Sequence, residues 1–214
     1  MADIRYSYIG IDGIIGTGKT HLTKLLTHRF NALPIYEEST NNPFLEKFYN
    51  NPQQFALPVQ LFFLLNRYQQ LLTVIQRDLF HPCKISDYTF AKNTIFASIT
   101  LNEHELSLFH RIKDLIEPDI PKPDLIIFLQ AEVQLVLERI KRRGIPYERS
   151  ITEQYLKLLN EAYNQYFFHY SASPVLIINV NNLIFMDDSP DFEWLIQELQ
   201  RTFYGINYLN PIKE

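Results

Sequence analysis

Glycines, a lysine and a threonine stand at the spacing G-x-x-x-x-G-K-T near the start of the chain. In such a loop Gly13, Gly16 and Gly18 let the backbone turn its N–H groups toward phosphate oxygens, which approach closely because side chains are lacking. Lys19 adds a positive charge for the β- and γ-phosphates, and Thr20 offers a hydroxyl to Mg²⁺. The spacing therefore predicts a loop that binds the phosphates of a nucleotide together with Mg²⁺.

Acidic residues follow two short apolar segments that we predict to be strands. Glu37 and Glu38 end the segment 33–36, and Asp87 follows the segment 84–86. Because open α/β sheets bind ligands at the carboxyl ends of their strands, these carboxylates are candidates for the same site as the loop. Two structural alternatives stay open: Glu37 and Glu38 as a solvated pair, and Asp87 as the N-cap of the next helix.

Strand and helix patterns alternate along the chain, which is typical of a parallel sheet wrapped by helices. The apolar run at 125–129 is typical of a strand buried on both faces. Apolar residues at helical spacing predict a long helix over 57–77, and capping boxes at 102–105 and 150–153 predict two further helix starts. With a last strand at 175–180, the pattern predicts a parallel five-stranded sheet flanked by helices.

Length and composition limit the classes of protein to which the chain can belong. Its 214 residues, 46% of them hydrophobic, suit one compact α/β domain. The formal net charge of −4 argues against a nucleic-acid partner and favours a small substrate. Cys83 is the single cysteine and cannot form an internal disulfide, and we identify no signal peptide or membrane span. We therefore expect a cytoplasmic protein without a membrane or nucleic-acid partner.

Several motifs after the glycine-rich loop resemble those of the deoxynucleoside kinase family, most closely its bacterial deoxyguanosine kinase branch. They are Glu37 with N-P-F-L-E-K-F-Y at 42–49, Gln60 with Arg67-Tyr68, Asp87-Tyr88 with K-N-x-I-F-A at 92–97, and R-I-x-x-R-G at 139–144. They cover nearly the whole chain in the family's order. The resemblance implies a P-loop kinase fold in a single domain over residues 1–214, with a lid segment at about 139–149.

The resemblance implies phosphoryl transfer to a sugar 5′-hydroxyl, with Glu37 as the base that accepts the hydroxyl proton. Asp87 is similar to the acidic residue that helps to hold Mg²⁺ together with Thr20. Arg139 and Arg143 lie four residues apart on one predicted helix face and resemble lid arginines that close over ATP phosphates, with Arg143 reaching the reacting centre. Basic residues at a helix C-terminus also complement the helix dipole without a ligand, and this alternative stays open.

The resemblance also implies where the acceptor binds. The candidate acceptor-binding residues are Tyr49, Gln60, Arg67, Asn93, Phe96 and Glu148. Tyr49 and Glu148 resemble the pair that binds the 3′-hydroxyl, and Phe96 the ring on which the base stacks. The amides and the guanidinium offer donors and acceptors to the edge of the base. For Tyr49 and Phe96, core packing is the alternative.

Two positions depart from the family pattern and remove positive charge from the reacting centre. Tyr88 stands where most members have arginine, and Ile145 replaces a second lid arginine. Lys92 lies one helical turn after Tyr88, so we predict that it supplies the missing cation at the reacting centre. A surface lysine is the alternative.

The expected function is ATP-dependent phosphorylation of the 5′-hydroxyl of a purine deoxynucleoside, with deoxyguanosine as the expected acceptor. The resemblance also implies a homodimer formed through long helices. A nucleoside monophosphate kinase is one alternative, but it needs cations for an acceptor phosphate where this chain offers Glu37 and Tyr49. A non-catalytic nucleotide-binding subunit is the other, which Tyr88 and Ile145 favour and the intact Lys19 opposes.

Overall fold

The computed structural model describes residues 4–38, 41–75 and 80–210. Its centre is a six-stranded sheet in the order β2-β3-β1-β4-β5-β6, with every neighbouring pair parallel. The strands are β1 (Tyr8–Gly13), β2 (Leu33–Ile35), β3 (Lys84–Ser86), β4 (Leu125–Gln130), β5 (Val175–Asn179) and β6 (Ile206–Leu209). Every residue of β1 is buried, so helices cover both faces of the sheet at its centre.

The sheet has one strand more than the five that were predicted. β6 pairs with β5, from Val175 beside Ile206 to Ile178 beside Leu209. It is an edge strand with the sequence I-N-Y-L and half-buried or exposed side chains, so it lacks the continuous apolar run that indicated β4. The prediction of five strands is wrong because backbone pairing, rather than a local apolar pattern, makes this segment a strand.

Helices connect the strands. They are α1 (Lys19–Phe30), α2 (Leu45–Asn50), α3 (Pro52–Ile75), α4 (Ala91–Thr100), α5 (Glu103–Ile116), α6 (Val133–Arg143), α7 (Glu153–Phe168) and α8 (Pro190–Glu198). A short 3₁₀ segment, Pro146–Ser150, joins α6 to α7. No helix among the described residues is long and apolar enough to cross a membrane.

Two predicted helix starts need correction. The long helix begins at Pro52, five residues before the predicted start, because Pro58 lies inside the helix instead of in its first turn. Residue 77, its predicted end, lies outside the described residues. The capping box at Asn102 forms as predicted. The second does not, because Thr152 rather than Ser150 caps α7 by accepting a hydrogen bond from the backbone N–H of Tyr155.

The buried side chains form two apolar clusters. One packs around the sheet together with α1, α6, α7 and α8. The other joins α2, α3, α4 and α5, and includes Tyr8 of β1 and Ile35 of β2. The carboxyl ends of β1, β2 and β3 face the space between these groups of helices, where parallel α/β sheets bind their ligands.

Candidate active site

The glycine-rich loop connects β1 to α1 and is shaped by backbone conformations that favour glycine. Gly13 and Gly16 have φ angles of 149° and 87°. A Cβ atom on Gly13 would lie 2.6 Å from the carbonyl oxygen of Leu129, so no larger residue fits there without a backbone shift. The Lys19 ammonium donates to the carbonyl oxygens of Gly13 and Ile14, at 2.8 and 2.9 Å. The lysine is therefore held directly at the concave side of the loop.

Asp87 connects the ends of two strands to the start of α1. Its Oδ2 accepts a hydrogen bond from the Thr20 hydroxyl at 2.5 Å, and its Oδ1 accepts one from the backbone N–H of Glu37 at 2.7 Å. The N-cap of α4 is Phe90, so the alternative that Asp87 caps this helix is wrong. A carboxylate beside a hydroxyl provides the oxygen ligands that Mg²⁺ prefers, and these two residues fit that ion.

Glu37 is clamped between two cations. Its Oε1 accepts hydrogen bonds from Nε and Nη2 of Arg67 at 2.8 and 2.5 Å, and its Oε2 accepts one from Nζ of Lys92 at 2.5 Å. Burial alone would raise the pKa of Glu37, but the charges and hydrogen bonds of Lys92 and Arg67 outweigh burial and hold the pKa well below its usual range. Glu37 is therefore ionised at neutral pH.

The neighbouring carboxylate behaves differently. Glu38 is exposed and accepts a hydrogen bond from the Asn41 side chain at 2.9 Å. The solvated-pair alternative thus describes Glu38 but not Glu37.

Lys92 is also not a surface residue, because its side chain is only 7% exposed and its ammonium group is paired with Glu37.

Tyr88 occupies the position where the resemblance implied an arginine. Its side chain is fully buried, and its hydroxyl donates to Oε1 of Gln70 at 2.7 Å. The guanidinium carbon of Arg67 lies 6.0 Å from the centre of the Tyr88 ring. The cations that contact Glu37 therefore come from α3 and α4, and the residue after Asp87 contributes a buried ring instead.

One cavity of about 160 Å³ brings together most of the predicted site residues. Lys19, Thr20, Asp87 and Arg143 line its side nearest the loop. The other walls carry Glu37, Tyr49, Gln60, Arg67, Lys92, Phe96 and Glu148. A single cavity thus holds the phosphate loop, the clamped carboxylate and the candidate acceptor contacts.

Asn93 is placed differently from the prediction. It is fully buried behind Arg67, where its Oδ1 accepts from Nη1 of Arg67 at 2.6 Å and its Nδ2 donates to the carbonyl oxygen of Phe90 at 3.0 Å. Both ends of the amide are thus in use inside the protein. Asn93 supports Arg67 in this structure rather than lining the cavity.

The residues predicted for the 3′-hydroxyl and the lid meet at the mouth of the cavity. Nη2 of Arg143 donates to Oε1 of Glu148 at 2.6 Å, and Glu148 is 7% exposed. Tyr49 stacks on Tyr147 with ring centres 5.9 Å apart and planes 17° apart. Arg143 thus pairs with the carboxylate that was predicted to bind the sugar.

A second, more open cavity of about 660 Å³ adjoins the loop on its outer side. Gly18 and Lys19 line it together with Arg139 and Arg143 of α6. The segment after β5 closes the far side with Leu183, Ile184 and Phe185. Such a space between a phosphate loop and arginines suits the rest of a nucleoside triphosphate.

The sequence analysis did not single out Asp12, which supports the glycine-rich loop without lining either of these two cavities. This fully buried carboxylate accepts hydrogen bonds from the backbone N–H of Gly13, from the backbone and hydroxyl of Thr89, and from the hydroxyl of Tyr163. It ties the loop to α7 and to the turn after β3. The signal available in the sequence was a charged residue inside an apolar strand.

The glycine-rich loop between β1 and α1 of a parallel sheet defines a P-loop protein. Residues 9–204 match the family model described as deoxynucleoside kinase. The chain therefore belongs to the deoxynucleoside kinase family.

Individual relatives carry different names. The deoxyguanosine kinase of Bacillus subtilis (strain 168) is 39% identical over 158 residues, which cover 73% of this chain and 76% of that protein. The deoxyadenosine kinase of Dictyostelium discoideum is 27% identical over 212 residues, covering 96% and 83%. The structure of deoxyadenosine kinase from M. mycoides with bound dATP matches with a TM-score of 0.78 at 20% identity, covering 91% of this chain and 100% of that one. This match confirms the P-loop kinase fold.

Proposed function

We propose that the protein transfers the γ-phosphoryl group of ATP to the 5′-hydroxyl of a purine deoxynucleoside, and that deoxyguanosine is its preferred acceptor. The observation that carries this proposal is the position of Glu37. An ionised carboxylate shares one cavity with the Lys19 ammonium, the Thr20–Asp87 pair and the candidate acceptor contacts. This arrangement suits proton acceptance from a hydroxyl beside a bound phosphate.

On the donor side, the backbone N–H groups of the loop and Lys19 hold the phosphates. Thr20 and Asp87 would hold Mg²⁺, which neutralises phosphate charge when bound. Arg139 and Arg143 close over the phosphates from α6. Lys92 contacts Glu37, its charge is felt at Lys19, and it would stabilise charge on the group in transfer.

On the acceptor side, Glu37 accepts the proton of the 5′-hydroxyl. Glu148 and Tyr49 bind the 3′-hydroxyl, Phe96 stacks on the base, and Gln60 hydrogen-bonds to its edge. The Gln60 amide donates to Thr100 Oγ1 at 3.1 Å, which orients its oxygen-bearing end. The name of the 39% identical relative supports deoxyguanosine as acceptor.

The charge of the cavity argues against a nucleoside monophosphate kinase. Such an enzyme needs cations that are available to an acceptor phosphate. On the acceptor walls Arg67 is paired with Glu37, and Glu148 adds a second carboxylate. The acceptor walls therefore suit a neutral nucleoside better than a phosphorylated one.

Initial rates of ATP consumption test the proposal with each of the four deoxynucleosides and their monophosphates. We expect the highest kcat/KM for deoxyguanosine, and no turnover by the Lys19→Ala variant, which serves as the control. Faster turnover of thymidine or deoxycytidine at low concentration would overturn the purine preference. If only the monophosphates are phosphorylated, the protein is a monophosphate kinase. If no acceptor is phosphorylated, the protein is non-catalytic.

A further inference from the structure

Arg67 binds two partners from different elements at once. Its Nε and Nη2 donate to Oε1 of Glu37 after β2, and its Nη1 donates to Oδ1 of Asn93 on α4. Its side chain is only 3% exposed. One guanidinium edge is therefore engaged with the proposed base, and the opposite side is engaged with a buried amide.

The surroundings of Arg67 leave it little freedom. Its guanidinium carbon lies 4.7 Å from the centre of the Phe63 ring, one helical turn earlier on α3. Asn93, which holds it from the other side, is itself fixed through the Phe90 carbonyl oxygen. The planar guanidinium group is contacted by Glu37, Asn93 and Phe63. It therefore fixes the direction of its hydrogen bonds to Glu37 and also supplies a positive charge.

Lys92 differs from Arg67 in this respect. Its ammonium group, at the end of a flexible aliphatic chain, donates a hydrogen bond to Glu37. The Nζ atom also lies 5.6 Å from the centre of the Phe96 ring on α4. Such a group supplies charge but fixes direction poorly. Of the two cations on Glu37, the arginine is thus the one that can set the orientation of the carboxylate.

We propose that Arg67 is a positioning residue for Glu37: held by Phe63 and Asn93, it fixes the carboxylate in the orientation that accepts the 5′-hydroxyl proton, and it acts mainly on phosphoryl transfer rather than on nucleobase binding. This inference rests on the proposed function. It also changes the role that the resemblance implied for Arg67, which was contact with the base.

A double-mutant cycle with acceptor kinetics tests the inference. Arg67→Gln should lower kcat by about 10²-fold, the scale of a misplaced reacting group, and change the KM for deoxyguanosine by less than about threefold. Arg67→Lys keeps the positive charge but lacks the planar guanidinium group, so it should recover only part of kcat. In the Glu37→Gln background, Arg67→Gln should cause almost no further loss, because the group that it positions is already gone.

Gln60→Ala is the matched control on the same helix. It should raise the acceptor KM, and this effect should multiply with that of Glu37→Gln, because Gln60 is proposed to touch the base independently of Glu37. An Arg67→Gln variant that raises KM at unchanged kcat, or whose kcat loss multiplies with that of Glu37→Gln, would overturn the positioning role.

Asn93→Leu keeps the inference testable if Arg67→Gln does not fold, as judged by circular dichroism and thermal melting. It leaves the Arg67–Glu37 pair in place but removes its anchor, so kcat should fall by about 3- to 10-fold at nearly unchanged KM. Unchanged kcat, or an effect on KM alone, would overturn the inference. Failure of the proposed function looks different: the wild-type protein would phosphorylate no deoxynucleoside, or Glu37→Gln would keep its turnover.

Discussion

The donor end and the acceptor end of the cavity are built differently. The donor end is a continuous loop, Gly13 to Thr20, whose positive-φ glycines and backbone N–H groups are proposed to contact the phosphates. The acceptor end is built from side chains on α2, α3 and α4 and on the segment 146–150. Its charged groups are paired with one another, as Arg67 is with Glu37.

This difference has a physical consequence. A loop that binds through its backbone depends mainly on local chain geometry, so side-chain changes elsewhere leave it intact. A wall of paired charges is coupled, because removing one member leaves its partner buried and unpaired. Substitutions at the acceptor end should therefore affect catalysis and acceptor binding while donor binding persists.

The largest expected effect separates the two ends. Glu37→Gln removes the proton acceptor and should lower kcat by about 10³-fold or more, while ATP binding stays within a few-fold of wild type. Lys19→Ala should abolish turnover and also weaken ATP binding, because the lysine neutralises phosphate charge. Steady-state rates combined with calorimetric ATP titration measure both quantities. Near-normal turnover by Glu37→Gln would remove this residue from the mechanism.

A smaller effect on kcat is expected for Lys92, between the donor end and the acceptor end of the cavity. Lys92→Met should lower kcat by about 10²-fold, the scale for loss of one electrostatic stabiliser. Lys122, which is exposed, provides a matched lysine control, and Lys122→Met should leave the rate unchanged. Turnover is measured with saturating ATP and deoxyguanosine. Full activity of Lys92→Met would assign charge compensation to Arg143 or Mg²⁺ alone.

The acceptor wall can be tested with a modified sugar. Glu148→Gln should raise the KM for deoxyguanosine by about 10-fold or more, the scale of a lost hydrogen bond to a charged group. The same variant should affect a 3′-deoxy analogue much less, because that analogue already lacks the hydroxyl. Equal penalties on both acceptors would show that Glu148 does not bind the sugar.

The smallest effect concerns stability at the donor end. Burial, with the neighbouring Lys92 charge, lowers the pKa of Lys19 to about 8. Between about pH 8 and the unfolded value near 10.4, the unfolded chain binds more protons, so the contribution of Lys19 to the free energy of unfolding rises with pH. Lys19→Met should therefore stabilise the nucleotide-free protein at pH 7 by about 1 kcal/mol.

Urea denaturation at pH 7 and pH 10 measures this difference. The advantage of Lys19→Met over wild type should shrink as pH rises, because a neutral lysine is no longer penalised by burial. An advantage that is independent of pH would mean that the lysine charge costs the fold nothing.

Local sequence determined much of the donor end and of the framework. The G-x-x-x-x-G-K-T spacing predicted the loop, because glycine conformations and backbone donors depend on neighbours within a few residues. The buried strand β4 and the capping box at Asn102 followed from equally local patterns. β6 was missed because an edge strand is defined by its partner strand. For the protein as a whole, the single-domain extent, the homodimer and the cytoplasmic location stay predictions.

The tertiary structure decided how the acceptor-end residues meet. Arg67 is separated from Glu37 by 30 positions, and Lys92 by 55, so no local pattern indicates that both clamp one carboxylate. In the same way, Asn93 came to lie behind Arg67, and Arg143 came to pair with Glu148. The sequence fixes which chemical groups are available, but an ion pair depends on distances that arise only when α3 and α4 pack beside the ends of the strands.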